Sequence, residues 1–155
     1  MLGPGDPAPD LPVKDDRGET LHLAELWAKC PLILFFYPGD FTPICTREAC
    51  HFRDHYGDLT EKGAEVAGNG GPREQRPARL RHAHQLPYRL LSDGDGRVAK
   101  AFGIQRALGL GDKRVTFVID VGGTIREAIH SEIRAKVHVD RALAALEGLA
   151  SPPAP

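Results

Sequence analysis

The sequence is poor in cysteine and carries no excess of charge of either sign. Three cysteines among 155 residues are too few, and odd in number, for a disulfide scaffold, which favours a reducing compartment with reactive thiols. The formal net charge of −1 indicates no basic surface for nucleic acid. No apolar run approaches the roughly 18 residues of a membrane span, and the first residues lack the charged and apolar regions of a signal peptide. We expect a cytoplasmic protein that binds neither nucleic acid nor membranes.

Length and composition are those of one globular domain. The 155 residues are 41% hydrophobic and 26% charged, which is typical of a domain that buries a core of its own. No internal repeat and no long linker divides the chain. The prediction is therefore a single domain over residues 1–155.

Short apolar segments alternate with helical patterns along the chain, which is typical of an α/β protein. After a proline-rich arm over residues 1–12, the expected strands are a hairpin within 13–23 and the segments 32–37, 64–67, 86–91, 114–120 and 124–130. The expected helices are a turn at 23–28 and the segments 42–59, 73–85, 97–102 and 139–149. Residues 68–72, three glycines, an asparagine and a proline, predict a flexible break. This order predicts a central mixed sheet with helices on both faces.

The segment 35–54, FFYPGDFTPICTREACHFRD, places a cysteine where a strand leads into a helix. Thr42 is a candidate N-cap, and Pro43 suits the first helical position because its missing N–H needs no partner there. Cys45 then lies in the first turn, near free backbone amides and the positive end of the helix dipole. Both lower the pKa of a thiol, and the thiolate is the reactive form. Cys45 is therefore a candidate nucleophile; the alternative is a cysteine buried as a small apolar residue.

Pro38, Thr42 and Cys45 stand in the spacing P-x-x-x-T-x-x-C, which resembles the signature of the peroxiredoxins. Further residues agree with that family: Phe36, Tyr37, Thr46, Glu48 and the segment Arg-Val-Thr-Phe-Val-Ile-Asp that begins at Arg114. A second cysteine five positions on, Cys50, is similar to the bacterioferritin comigratory protein type, a PrxQ-like, atypical two-cysteine class. The resemblance covers about residues 5–149. It implies a thioredoxin-like fold with an N-terminal hairpin extension.

The resemblance implies a thiol-dependent peroxidase that reduces hydrogen peroxide and organic hydroperoxides. Cys45 would become a sulfenic acid, which Cys50 would resolve as an intramolecular disulfide. A thioredoxin or a similar dithiol would then reduce that disulfide, and no cofactor or metal would take part. We expect a monomer or a weak homodimer.

The resemblance also suggests a role for each remaining residue of the signature. The Thr42 hydroxyl would contact the sulfur and the peroxide, and Pro38 would shape and dry the pocket; as alternatives, they are only an N-cap and a strand terminator. Arg114 would lie beside the cysteine, lower its pKa and bind both peroxide oxygens. Strand alternation directs its neighbour Lys113 to the other face. Glu48 would orient Arg114 as an ion pair, unless it is an exposed helical charge.

The expected helix constrains the two cysteines of the signature. On an ideal helix, residues five apart have Cα atoms about 8.7 Å apart, whereas a disulfide requires roughly 4.4–6.8 Å. Cys45 and Cys50 therefore cannot bond while that helix is intact, and turnover would have to unwind it. The alternative is that Cys50 is a structural cysteine.

The same residues also allow other functions. A dithiol–disulfide oxidoreductase is one, although such enzymes use the spacing C-x-x-C rather than C-x-x-x-x-C. A peroxide sensor that oxidises but turns over slowly is another. His51 and His55 have a spacing that zinc could use, but no second ligand pair accompanies them. Cys30 has no counterpart in the family pattern and is interpreted as incidental. Residues 68–72 also depart from that pattern, which favours a polar Ser/Asp loop there.

Overall fold

The computed structural model describes residues 1–37, 43–70, 77–93, 95–105, 113–132 and 134–150, with the backbone alone for 43–45 and 150. Its strands are β1 Pro12–Asp15, β2 Thr20–His22, β3 Leu32–Tyr37, β4 Glu65–Gly70, β5 Arg89–Ser92, β6 Val115–Ile119 and β7 Ile125–His130. Its α-helices are α1 Pro43–Asp54, α2 Tyr56–Glu61, α3 Pro77–Ala83, α4 Arg97–Phe102 and α5 Ala135–Ala150. A 3₁₀-helix, Leu23–Trp27, precedes β3.

The described strands form one mixed sheet in the order β2-β1-β5-β4-β3-β6-β7. Strands β3, β4 and β5 are parallel, and the other pairs are antiparallel. All six side chains of β3 are buried, as expected for an apolar run at the centre of a sheet covered on both faces. Because β3 is parallel to β4 and β5, the carboxyl ends of all three strands lie at the same edge of the sheet.

Two apolar cores lie on opposite faces of the sheet, because successive side chains of a strand point to opposite sides. Phe35 of β3 belongs to the core under α1, α2, α3 and α5. Its neighbour Phe36 belongs to the other core, under the 3₁₀-helix and α4, where residues of the N-terminal arm also pack. The predicted α/β architecture with helices on both faces is confirmed. No helix in the part of the chain that the structure describes is long and apolar enough to cross a bilayer.

The predicted flexible break at 68–72 is wrong for residues 68–70, which continue β4 in register with β3 and β5. Gly68 serves close packing rather than a turn. A Cβ there would lie 2.6 Å from Cζ of Phe35 and 2.8 Å from Cδ2 of Leu90. Glycine at this position therefore allows two core side chains to approach the backbone of β4. Residues 71 and 72 lie outside the described residues.

Helix boundaries also differ from the sequence prediction. The predicted helix 42–59 is two helices, because His55 leaves the helical range with φ −106° and ψ 10°. The last helix starts at Ala135 rather than at 139. Strand β5 begins at Arg89 rather than at 86. Of the predicted helix 73–85, residues 77–83 are helical and 73–76 lie outside the described residues.

Candidate active site

Helix α1 presents the predicted nucleophile in its first turn. Cys45 is the third residue of α1, and the structure describes it by its backbone alone. Pro38 and Thr42, which the sequence predicts beside it, lie outside the described residues. Helix α1 is the next described element of the chain after β3, which agrees with the predicted strand-to-helix order.

One face of α1 is packed against the sheet. Glu48, Ala49 and Phe52 of this face are buried, and the ring of Phe52 stacks on Phe35 with centroids 4.6 Å apart. Position 45 precedes them at three-, four- and seven-residue steps, so its Cα lies on the same face of the helix. Burial of Ala49 and Phe52 therefore decides which way the first turn of α1 faces.

Arg114 meets this face of α1 from the sheet. It lies immediately before β6, whose register with β3 pairs Thr116 with Phe35, so Arg114 is at the edge from which the chain continues to α1. Its Nη1 donates to Oε2 of Glu48 over 3.0 Å, and the two side chains are only 4% and 0% exposed. Lys113 is half-buried. The predicted ion pair is thus present, and the buried cation of this segment is Arg114.

Burial sets the electrostatics of this pair. It raises the pKa of Glu48 to about 7, although the charge and hydrogen bond of Arg114 act to lower it. The second carboxylate oxygen of Glu48, Oε1, is buried and accepts no hydrogen bond from the described residues. A guanidinium keeps its charge in such a setting because it does not deprotonate in proteins. A fixed cation is therefore paired with Glu48, which lies about one helical turn beyond position 45.

Cys50 lies further along the same helix. It is half-buried and bears a free thiol. Two contacts hold this part of α1: the Tyr88 hydroxyl donates to the Ala49 carbonyl over 2.6 Å, and Nη1 of Arg53 donates to the His84 carbonyl over 2.9 Å. Because Cys45 and Cys50 occupy one continuous helix, their Cα atoms are about 8.7 Å apart by helix geometry. A disulfide between them requires α1 to unwind.

Two further features take no part in the Arg114–Glu48 contact: the Cys30 thiol, and the histidine pair at the end of α1. Cys30 precedes β3, whereas α1 follows it, and burial together with the charge of Glu65 raises the pKa of the Cys30 thiol. The rings of His51 and His55 are 4.8 Å apart. No group of three or more potential metal ligands occurs among the described residues.

Sequence reasoning missed two buried polar residues on the same face of the sheet. His138 of α5 and Thr116 of β6 are both fully buried and lie 2.7 Å apart, from Nδ1 to Oγ1. Strand alternation places Thr116 on the face of Arg114, which was the available signal. Nothing in the sequence marks His138, because its partner Thr116 is 22 positions away along the chain.

The chain is similar to known proteins both in sequence and in structure. The model of the AhpC/TSA family matches residues 4–128. Peroxiredoxin Bcp of Bacillus subtilis is 35% identical over 151 residues, which cover 94% of this chain and 95% of that protein.

Two solved structures are similar over nearly the whole chain. Peroxidoxin BcpB from Mycobacterium tuberculosis has a TM-score of 0.90 at 37% identity, covering 97% of this chain and 100% of its own. The bacterioferritin comigratory protein of Xanthomonas campestris has a TM-score of 0.81 at 27% identity. The match covers 91% of this chain and 92% of that protein's chain.

Proposed function

Since this chain belongs to the AhpC/TSA family and is a peroxiredoxin of the bacterioferritin comigratory protein type, we propose that Cys45 and Cys50 carry its thiol peroxidase activity. The observation that supports this assignment is the buried Arg114–Glu48 ion pair beside the first turns of α1. A cation fixed there favours a thiolate at position 45 over a thiol.

Cys45 reacts first. Its thiolate attacks the distal oxygen of the hydroperoxide, the O–O bond breaks, and the leaving oxygen takes a proton to become water or an alcohol. The sulfur is oxidised by two electrons to a sulfenic acid. Negative charge moves from sulfur to the leaving oxygen in this step, so a donor that spans both atoms stabilises the transition state. The guanidinium of Arg114 has the planar fork of donors for that role, and Glu48 orients it.

Pro38 and Thr42 complete the pocket in this proposal. The Thr42 hydroxyl contacts the sulfur and the peroxide, because a hydroxyl donates and accepts at once. Pro38 shapes the pocket wall and limits the access of water. Both assignments rest on the spacing to Cys45 in the sequence.

Cys50 acts in the second step. Its thiol displaces water from the Cys45 sulfenic acid and forms an intramolecular disulfide after the first turns of α1 unwind. A thioredoxin-type dithiol then reduces the disulfide with two electrons and returns both thiols. The cycle uses no cofactor or metal.

The substrates proposed are hydrogen peroxide and organic hydroperoxides. An alkyl peroxide reduction activity is ascribed to the Xanthomonas campestris relative, which supports organic hydroperoxides as substrates.

The low, odd cysteine count supports action in the reducing cytoplasm. We propose a monomer or a weak homodimer as the working form.

Three single serine variants test the cysteine assignment. Peroxide consumption with a thioredoxin system should be abolished in Cys45→Ser and retained in Cys30→Ser. Cys50→Ser should consume one equivalent of peroxide, leave a sulfenic acid on Cys45 and then stall. Peptide mapping of the oxidised wild type should find a Cys45–Cys50 disulfide. A bridge from Cys45 to Cys30, or between two chains, would contradict the role of Cys50. Insulin reduction without peroxide would favour an oxidoreductase instead.

A further inference from the structure

His138 is a buried histidine whose two ring nitrogens are both hydrogen bonded. Nε2 lies 2.8 Å from the carbonyl oxygen of Ser131, and Nδ1 lies 2.7 Å from Oγ1 of Thr116. A carbonyl oxygen can only accept, so Nε2 carries the proton. Nδ1 is then the acceptor, and the Thr116 hydroxyl donates to it. The ring is therefore held in one neutral tautomer and one orientation.

Ser131 connects this ring to Arg114. The N–H of Ser131 donates to the Arg114 carbonyl over 3.3 Å. The next residue, Glu132, accepts from the N–H of Arg114 through Oε2 over 3.2 Å. Both backbone groups of Arg114 thus bond to the turn between β7 and α5. The hydrogen bond from His138 to the Ser131 carbonyl joins that turn to α5.

Burial above all keeps the His138 ring neutral. Burial lowers the pKa of His138 to about 4, and the charges of Arg114 and His130 act in the same direction. The Ser131 carbonyl and the charge of Glu132 oppose this shift. At neutral pH, His138 therefore adds no second cation beside Arg114. It acts on its surroundings through hydrogen bonds alone.

We propose that His138 is a positioning residue for the peroxidase reaction: through Ser131 it fixes the backbone of Arg114, so that the guanidinium stays on Glu48 beside the first turns of α1. This inference rests on the proposed function, in which Arg114 stabilises the Cys45 thiolate. His138 belongs to α5 and acts through the turn that precedes this helix. The packing of α5 against the sheet thereby affects the position of Arg114 in the active site.

Two substitutions at position 138 separate the two hydrogen bonds. His138→Gln places an amide N–H near the position of Nε2 and keeps the donor to Ser131. His138→Asn reaches only the position of Nδ1 and loses that donor. We expect His138→Asn to slow the peroxide reaction by about 10- to 100-fold, because small displacements of a positioning group have effects of this size. His138→Gln should retain most of the rate.

The thiolate titration of Cys45 distinguishes positioning from stability. It is measured by ultraviolet absorbance in a chain with serine at positions 30 and 50, where Cys45 is the remaining thiol. We expect the midpoint to move to higher pH in His138→Asn and to stay near that of the parent in His138→Gln. Leu143→Ala, which removes half-buried apolar packing on the same helix, should lower stability and leave the midpoint unchanged.

A second pair of variants changes Glu132, the partly exposed residue that accepts from the Arg114 N–H. This pair tests the inference if His138→Asn does not fold. Glu132→Gln and Glu132→Ala remove the same charge, but only Gln keeps an acceptor for the Arg114 N–H. The midpoint should be higher in Glu132→Ala than in Glu132→Gln. Equal midpoints in this pair, or a parental midpoint in folded His138→Asn, would overturn the inference.

Arg114→Met serves as the reference for these measurements. If it moves the Cys45 midpoint and the His138 variants do not, the positioning role fails and the proposed function stands. If Arg114→Met leaves the midpoint unchanged, the role of Arg114 itself fails, and the role of His138 fails with it.

Discussion

Nη1 of Arg114 lies 3.0 Å from Oε2 of Glu48, and this contact joins the edge of the sheet to the second turn of α1. The two side chains are almost completely buried, so neither solvent nor salt screens the pair strongly. Removing one partner of such a pair leaves the other as an uncompensated buried charge. The contact therefore has consequences for both reactivity and stability.

Replacement of Arg114 should impair catalysis more than a loss of stability explains. We expect Arg114→Met to slow peroxide reduction by roughly 100- to 1,000-fold, the effect of removing one donor to a developing oxyanion. The double variant Arg114→Met, Glu48→Gln removes the orphaned carboxylate and should recover stability without recovering the rate. Stopped-flow oxidation and urea unfolding measure the two quantities. Recovery of the rate in the double variant would show that Arg114 only neutralises Glu48.

Glu48 should make stability fall as the pH rises. Its pKa in the folded protein is about 7, against an ordinary 4.5, so between these values the folded state holds a proton that the unfolded chain has lost. The contribution of Glu48 is fully present below the lower value and declines through the upper one, by up to about 3 kcal/mol.

Urea unfolding of wild type and Glu48→Gln at about pH 5 and about pH 8 tests this slope. The wild type should lose stability relative to the variant at the higher pH, because glutamine mimics the protonated carboxyl at both. A constant difference between the two proteins would contradict the raised pKa.

His138 should make stability fall as the pH drops, the opposite direction. Burial holds its pKa at about 4, below the ordinary 6.5, so between these values only the unfolded chain takes up the proton. The contribution is fully present above the higher value and is lost toward the lower one, by up to about 3 kcal/mol. His138→Gln should lack this loss. The chemical shifts of the His138 ring measure the titration directly, and a midpoint at the ordinary value would exclude the effect.

Gly68 should not tolerate a side chain. Its Cβ would lie 2.6 Å from the ring of Phe35, in the core under α1, so Gly68→Ala should cost about 1–3 kcal/mol in the free energy of unfolding. Gly148 in α5 has no atom within 4 Å of its ideal Cβ. Gly148→Ala should therefore be neutral or stabilise by about 0.5–1 kcal/mol. Thermal or urea unfolding compares the pair, and equal effects at both sites would refute the packing argument.

Tyr88 should restrain the unwinding of α1. Loss of its hydroxyl bond to the Ala49 carbonyl in Tyr88→Phe should cost about 0.5–1.5 kcal/mol. It should also speed hydrogen exchange in α1 and formation of the Cys45–Cys50 disulfide after oxidation.

Tyr56→Phe is the matched control, because it loses a hydroxyl bond to Glu65 outside α1. A similar loss of stability with unchanged exchange in α1 is expected. Disulfide formation that is equally fast in both variants would argue against a restraint by Tyr88.

Local sequence patterns were sufficient to predict much of the fold. The apolar run 32–37 matches β3 at both ends, since six consecutive apolar residues predict a buried central strand. The turn residues around Gly18 and Gly122 marked both hairpins. The α/β architecture and the family followed from this order and from the spacing of Pro38, Thr42 and Cys45, and the comparisons confirm them.

Other features were decided by contacts that the sequence does not show. The glycines of segment 68–70 predict a loop because glycine usually marks a turn, yet Gly68 leaves room for the side chains of Phe35 and Leu90 within a strand. The break at His55 was equally invisible, since the apolar periodicity continues across it.

The residues with the chemistry for a peroxidase can be identified in the sequence: a cysteine at a helix start, a second cysteine five positions on, an arginine and a glutamate. Their burial and protonation depend on contacts made in the folded chain. Arg114 and Glu48 are 66 positions apart, and His138 lies 22 positions from Thr116. Their burial, and hence the raised pKa of Glu48 and the lowered pKa of His138, depends on how α1 and α5 cover the sheet. Desolvation is a property of the packed core, and no local pattern encodes it.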